Sequence, residues 1–361
     1  MMAKRHFSLQ EYFIRRGLMV KPKLHFDDDL GQDVLQWQTV LRAKLMELME
    51  PFPQEVELHP ETVWQVEKDG LYKEKVIFDV EELASVPALV IKRTDLPKDA
   101  RHPAVLCLHG HGPEGDWHAY GKDLVTGVAT DTVRKHAIQR YNYDYAVQLA
   151  RAGFITVTLD FRNFGERSDG NLYPGRDSCN VHFIRGLLMG VKLITLHVWD
   201  VMKTVDYLVT RPDVDPDAIG CVGLSFGGTM ALHVAALDTR IKAASVSCAL
   251  TTYMEYAIKL GNFCGSQFVP GIYEYADLSD LAGLIAPRPL LVENGVHDPG
   301  FPIEASLAAQ KHLRSIYRAA GASERLFTHV FDGAHRFSGD HTVSFLNNWL
   351  RGRFCDEHAL F

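Results

Sequence analysis

The chain has 361 residues, a formal net charge of −7, 47% hydrophobic and 23% charged residues, and 28 Gly and 16 Pro scattered without a period. This excludes extended disorder and collagen-like or low-complexity chains, and the acidic balance argues against a binder of nucleic-acid phosphates. The longest apolar runs fall short of the ~18 residues of a membrane span, so neither a nucleic-acid nor a membrane partner is expected.

The N-terminal stretch MMAKRHFSLQEYFIRRG carries charges but no apolar segment and no small-residue cleavage site. No secretory signal is read there, and a cytoplasmic location is expected. Residues 7–50 read as helical, with Val34, Trp37, Val40, Leu41, Leu45 and Leu48 recurring at helical spacing until Pro51 and Pro53. Thr62–Lys68 and Lys75–Asp79 read as strands joined at Asp69-Gly70, a hairpin signal. Val86–Ile91 reads as a third strand.

Strands and helices then alternate. Ala104–Leu108 has the continuous apolar run of a strand buried on both faces. A helix over 142–152 leads to a strand at Phe154–Leu159. A helix over 191–210 leads to a strand at Ile219–Leu224 and a helix at Gly227–Ala236. Strands at Ile241–Val246 and Pro289–Glu293 follow. A helix over 303–319, a strand at Leu326–Phe331 and a helix over 341–352 close the series. The order predicts an α/β chain with a mostly parallel central sheet and helices on both faces. We read an N-terminal helical extension over 1–59 and one α/β domain over 60–361. Two stretches, about 161–190 and 249–286, break the alternation and read as lid-like insertions over the carboxyl edge of the sheet, where ligands bind in open α/β folds. The extension would cover the sheet edge or support a homo-oligomer, and the sequence does not choose.

The strongest chemical signal is Gly223-Leu224-Ser225-Phe226-Gly227-Gly228, between a predicted strand and a predicted helix. Small neighbours permit a sharp turn that lifts the Ser225 hydroxyl above the sheet. A serine hydroxyl needs a base to become a nucleophile. His335, in Gly333-Ala334-His335, follows the strand ending at Phe331 and is the candidate base. His329, inside that strand, and His341, at the start of the last helix, are its rivals. Asp298, beyond the strand at 289–293, is the candidate acid that would orient the imidazole, with Glu293 as runner-up. An oxyanion needs two backbone donors. The Phe226 amide is one, and the second comes from His109-Gly110-His111-Gly112, where the His111 amide is favoured over those of Gly110 and Gly112. The His-Gly-His-Gly string lacks the carboxylate or Cys spacing of a metal site, so no metal and no cofactor are expected. Cys107, Cys179, Cys221, Cys248, Cys264 and Cys355 show no CxxC spacing and read as free, buried thiols.

The stretches LCLHGHGPEGDW (106–117), LDFRNFGERSDG (159–170), DYLVTRPDVDPDAIGCVGLSFGG (206–228), APRPLLVENGVHDPGFP and FDGAHRF together resemble the α/β-hydrolase superfamily. Within it they are similar to the acetyl xylan esterase and dienelactone-hydrolase-like group. The resemblance covers residues 85–345 and implies Ser225, Asp298 and His335 as a triad, with the His111 and Phe226 amides as the oxyanion hole. It implies a small-molecule carboxylic ester with a small acyl group as substrate. Two positions differ from the group's pattern: Ser225 stands where dienelactone hydrolases carry Cys, and His111 where acetyl xylan esterases usually carry Tyr. A short-acyl serine carboxylesterase is the leading expectation. A small peptidase or amidase of the prolyl-oligopeptidase type and a non-catalytic binding protein are the alternatives. Tyr173, Phe183, Tyr253, Tyr256, Phe263, Phe268, Tyr273 and Tyr275 would narrow the pocket or pack the insertions. Arg162, Arg167, Arg176 and Arg185 would form ion pairs or bind an anionic substrate.

Overall fold

The computed structural model describes residues 7–27, 31–113, 118–128, 130–170, 172, 174–261 and 264–352; Tyr173, Phe263, Cys355 and residues 114–117 of the oxyanion-loop stretch lie outside them. The strands are β1 (Glu61–Lys68), β2 (Leu71–Glu81), β3 (Ala84–Arg93), β4 (His102–Leu108), β5 (Ile155–Leu159), β6 (Val214–Leu224), β7 (Ile241–Ser247), β8 (Leu290–Gly295) and β9 (Leu326–Phe331). They form one nine-stranded sheet in the order β1-β2-β3-β5-β4-β6-β7-β8-β9. The hairpin strands and β3 run antiparallel to their neighbours, and β5 through β9 pair in parallel. The mostly parallel α/β sheet expected from the alternation is therefore present, with an antiparallel extension at one edge. The hairpin turns at Asp69 and Gly70, both at positive φ, as a two-residue loop between twisted strands requires.

The helices are α1 (Leu9–Met19), α2 (Val34–Met49), α3 (Lys122–Val125), α4 (Thr132–Tyr141), α5 (Tyr145–Arg151), α6 (Ser178–Met189), α7 (Leu193–Thr210), α8 (Phe226–Leu237), α9 (Leu278–Gly283), α10 (Ile303–Ala319) and α11 (Thr342–Arg351). No single helix among the described residues is long and apolar enough to cross a membrane. The sheet separates two apolar cores. Ala104, Leu106 and Leu108 of β4 face one core with α2, α7, α8, α9 and α10, while Val105 and Cys107 face the other with α3, α4, α5 and α11. This period-2 split is why β4 reads as an unbroken apolar run.

Three expectations change. The helical reading of 7–50 resolves into α1 and α2, with described residues 20–27 and 31–33 between them non-helical, because Pro22 and the left-handed Gly31 interrupt the pattern. Val40 is exposed, and the buried stripe of α2 is Val34, Trp37, Gln38, Leu41, Leu45 and Met49. The helix expected over 142–152 is shorter, because left-handed Asn142 ends α4 just before α5 begins. The stretches 161–190 and 249–286 contain α6 and α9 besides turns, so they are partly helical rather than loop throughout.

The connection ahead of α2 and α2 itself dock on the α8–α9 side of the sheet. Gln38 Nε2 donates to the carbonyls of Gly283 (2.8 Å) and Ala286 (2.7 Å), and Arg42 bonds those of Ala236 and Leu284. Upstream, the Phe26 amide donates to Asp280 Oδ1, and His25 Nδ1 lies 3.0 Å from Asp280 Oδ2. Gln38 is buried, so removing its amide strands the Ala286 carbonyl without water and leaves the Gly283 carbonyl only the Ala286 amide at 3.2 Å. We expect Gln38→Leu to lower the unfolding free energy by about 2 kcal/mol in urea denaturation, with α2 and the sheet melting in a single transition. Two separate transitions would contradict this docking.

Candidate active site

β4 and β6 are parallel neighbours with Leu108 opposite Gly223, so the loops that follow them emerge side by side at the carboxyl edge. β5 lies on the other side of β4, which makes this gap the point where the strand order reverses and ligands bind in open α/β sheets. After β6 the chain turns sharply into α8. A Cβ on Gly223 would sit 2.1 Å from the Gly227 carbonyl oxygen, and one on Gly227 would sit 1.9 Å from that of Leu108. Only glycine fits either place. The turn holds Ser225 at φ 60° and ψ −123°, a conformation that costs a non-glycine residue about 1–3 kcal/mol and persists only where its surroundings dictate it. The Ser225 amide donates to the Ser247 carbonyl of β7 at 2.9 Å, anchoring the turn to the next strand.

Ser225, Asp298 and His335 line one cavity of about 500 Å³. His335 Nδ1 lies 2.7 Å from Asp298 Oδ2. Asp298 is buried, and its Oδ1 accepts from the Gly300 and Phe301 amides, so the loop fixes the carboxylate before it meets the imidazole. The Phe301 ring stacks on the His335 ring at 5.5 Å and 9°, and the Tyr256 ring stacks on Phe301 at 4.6 Å. Among the described residues Ser225 Oγ makes no hydrogen bond to His335, the open arrangement such pairs often keep before substrate binds. The rival histidines lie outside the cavity. His329 Nε2 bonds Asp340 at 3.1 Å, and His341 is the N-cap residue of α11.

Glu293, the runner-up acid, lies in β8 and is fully buried. Its carboxyl accepts from Ser247 Oγ at 2.5 Å, away from His335. Burial pushes its pKa up to about 7, against which the Ser247 hydrogen bond acts only partly.

The loop after β4 is pinned by Tyr143, which the sequence reading did not single out. The Gly110 amide donates to Tyr143 Oη at 3.1 Å, and Tyr143 Oη donates to the His111 carbonyl at 2.9 Å. The Gly110 amide is thereby taken, which leaves the His111 and Gly112 amides as the loop's candidates for an oxyanion donor. Phe226 is the first residue of α8, whose leading amides have no acceptor within the helix. The His109 ring is buried: Nδ1 lies 2.9 Å from the Gly110 carbonyl and Nε2 accepts from the Phe161 amide. Burial lowers its pKa to about 4, so it stays neutral and acts as a spacer.

The cavity wall also carries a second cluster. His111 and His118 line the cavity, and Cys179, at the start of α6, lies behind them with Sγ 3.0 Å from His118 Nε2. Cys264 hydrogen bonding and the two imidazoles hold the Cys179 thiol well below the ordinary thiol range, against the opposing effect of burial. All five described cysteines are free and buried. Arg162 and Arg167 do not line the cavity: both bond the buried Asp200 carboxylate, Arg167 Nη1 at 2.7 Å and Arg162 Nη2 at 2.8 Å. Arg176 and Arg185 are exposed. Of the described aromatic residues expected to narrow the pocket, only Tyr256 lines it; Tyr253, Phe268 and Tyr273 pack on one another, and Tyr275 lies under Lys23 and Lys44. Arg140 and Tyr141 of α4 also line the cavity, from a helix absent from the sequence reading.

The model of the Abhydrolase family matches residues 4–342, and the chain belongs to that family. It is 29% identical over 318 residues to YtaP of Bacillus subtilis (strain 168), a hydrolase by name, covering 86% of this chain and 98% of that one. Its fold is that of an acetyl xylan esterase by name from Bacteroides fragilis NCTC 9343, with a TM-score of 0.74 and 20% identity over 92% of this chain and 84% of the other. A glucuronoyl esterase from Solibacter usitatus shares the fold at a TM-score of 0.63 and 14% identity, covering 91% of this chain and 98% of that one. The chain thus has the α/β-hydrolase fold expected from its motifs, in the company of esterases.

Burial of Glu293 has a measurable consequence. The unfolded chain releases this proton near 4.5, and the folded chain holds it to about pH 7. Stability therefore falls as pH rises between those values, and the loss is complete above them. Glu293→Gln should escape the loss. The variant is expected to gain on wild type by roughly 3 kcal/mol between urea denaturations at pH 5 and pH 8. A difference that does not change with pH would contradict the burial argument.

Proposed function

We propose that this member of the Abhydrolase family is a serine carboxylesterase that hydrolyses short-acyl, acetyl-type esters through an acyl-enzyme. The observation that carries the reading is the 2.7 Å contact of His335 Nδ1 with the buried Asp298 carboxylate, in the same cavity as a serine on a strained turn. An Nδ1–H donated to Asp298 leaves His335 Nε2 as the base. Ser225 Oγ attacks the ester carbonyl carbon and passes its proton to Nε2. The carbonyl oxygen becomes an oxyanion, which the Phe226 and His111 amides stabilise. Collapse expels the alcohol with the proton from His335. Water, deprotonated by the same imidazole, then attacks the acyl carbon and releases the carboxylic acid and Ser225. Asp298 orients the imidazole and stabilises its charged form without taking the proton.

A cavity of about 500 Å³ suits a small ligand, and the stacked Tyr256–Phe301 pair beside His335 limits the space there for a long acyl chain. A second reading is an ester whose alcohol or acyl part carries a carboxylate, because Arg140 and Arg336 both line the cavity with exposed side chains. Acetylated neutral sugars and acetylated uronic acids with a free carboxylate, assayed side by side, distinguish the two.

Ser225→Ala should lower kcat on p-nitrophenyl acetate by about 10⁴–10⁶-fold, with octanoate a poor substrate for the wild type. Activity surviving that substitution would refute the mechanism. Tyr143→Phe removes the hydroxyl that bridges Gly110 and His111 and should cost about tenfold in kcat with little change in KM, since it loosens a donor used in the transition state. A change confined to KM would mean that the loop serves substrate binding alone.

A further inference from the structure

The cluster of His111, His118 and Cys179 has no part in the proposed triad. Two imidazole nitrogens and one sulfur lie within 4.8 Å of one another, brought together from the loop after β4, the segment before α3 and the first turn of α6. The sequence disguises this set, because the sulfur comes from a distant stretch and no ligand spacing announces it.

Each donor is held in place. The Tyr143 bridge fixes the His111 backbone. The His118 carbonyl accepts from the Gly165 amide at 2.8 Å, within a loop built on the buried Asp160 carboxylate. The Cys179 amide donates to Asp177 Oδ1 at 2.9 Å. Behind His118, Ser178 Oγ lies 3.2 Å from Nδ1 and itself accepts from Asn163 Nδ2 at 2.8 Å. An Nδ1–H donated to that oxygen leaves the Nε2 lone pair facing Cys179 Sγ. A metal-bound imidazole needs this support on its second nitrogen.

We propose that His111, His118 and Cys179 form a binding site for a borderline-soft divalent cation such as Zn²⁺, and that its occupancy inhibits the chemistry at Ser225. Two imidazoles and a thiolate supply three of the four positions of a tetrahedral Zn²⁺ site. The fourth faces the cavity, since both histidines and Cys264 line it, and the cavity is also the entry path. The sulfur binds as thiolate, and any proton it carries passes to solvent. A cation there sits in the wall that includes the His111 loop, where it narrows the cavity and restrains the proposed oxyanion donor. The inhibition rests on the esterase reading; the binding does not.

The test is a Co²⁺ titration of the full chain after treatment with a chelator. One equivalent should produce a thiolate-to-cobalt charge-transfer band in the near ultraviolet, and Zn²⁺ should abolish it by displacement. Cys179→Ser should lose the band, and His118→Gln should weaken cobalt binding by at least about tenfold. Circular dichroism of both variants checks that they fold, and should either fail, displacement by Zn²⁺ in the wild type with proton release still reads the site. In parallel, Zn²⁺ should reduce p-nitrophenyl acetate turnover of the wild type, and EDTA should restore it. No band at one equivalent, or a band that persists in folded Cys179→Ser, overturns the site. A band with unchanged ester turnover overturns the inhibition alone. A band on a chain with no esterase activity supports the site and counts against the proposed function instead.

Discussion

The close approach of the β6–α8 turn to the end of β4 is the constraint on which the candidate site depends. With a Cβ at Gly227 only 1.9 Å from the Leu108 carbonyl oxygen, any side chain there would push the helix off the sheet. Gly110 meets the same limit from the other side, where a Cβ would lie 2.7 Å from both the Leu224 carbonyl oxygen and Tyr143 Oη. Three glycines therefore bring the start of α8 against the loop at 109–112. Ser225 is left at a left-handed angle above the sheet, and the leading amides of the helix face the same space as that loop. The parallel pairing of β4 with β6 sets where this happens, and the pairing of β7 with β8 and β8 with β9 brings the Asp298 and His335 loops to the same edge.

Around this turn the buried charges are paired, as low-dielectric surroundings demand. Asp160 binds the Lys122 ammonium at 2.6 Å and the Lys122 and Glu166 amides, and Gly121 and Gly165 leave room for its carboxylate. Burial alone would raise the Asp200 carboxyl, but the charges of Arg167 and Arg162 outweigh it and hold it low. Neither frame contributes a residue to the cavity lining. The groups without a charged partner stay neutral instead: His109 through burial, and Glu293 through the same effect acting on an acid. This contrast separates Asp298, fixed by two amides and an imidazole, from the deeper acid that the sequence offered as its rival.

The sheet was legible in the sequence because its central strands are short apolar runs between turn residues. β9 and α10 begin and end where the pattern predicts, and β8 runs only two residues past its expected end, to Gly295. The elbow was legible because a Gly-x-Ser-x-Gly string between a strand and a helix has few other physical uses. The helix α4 was not, because its mixed charges and aromatics give little apolar periodicity and only Ala137 is buried. Tyr143 was missed because its role depends on two loop groups that only the fold brings to its hydroxyl. Cys179 reads in the sequence as one free, buried thiol among six, since nothing local to α6 reveals the histidines that converge on it.

The central claim is that Ser225 Oγ carries the acyl group between two half-reactions. Its most direct test is rapid quenching of the wild type with p-nitrophenyl acetate, followed by mass spectrometry of the peptide that contains residue 225. The account predicts a burst of p-nitrophenolate and one acetyl group on Ser225 that disappears as turnover is exhausted. Sustained hydrolysis with no acetyl group on that peptide, or with the acetyl group on another side chain, would contradict it.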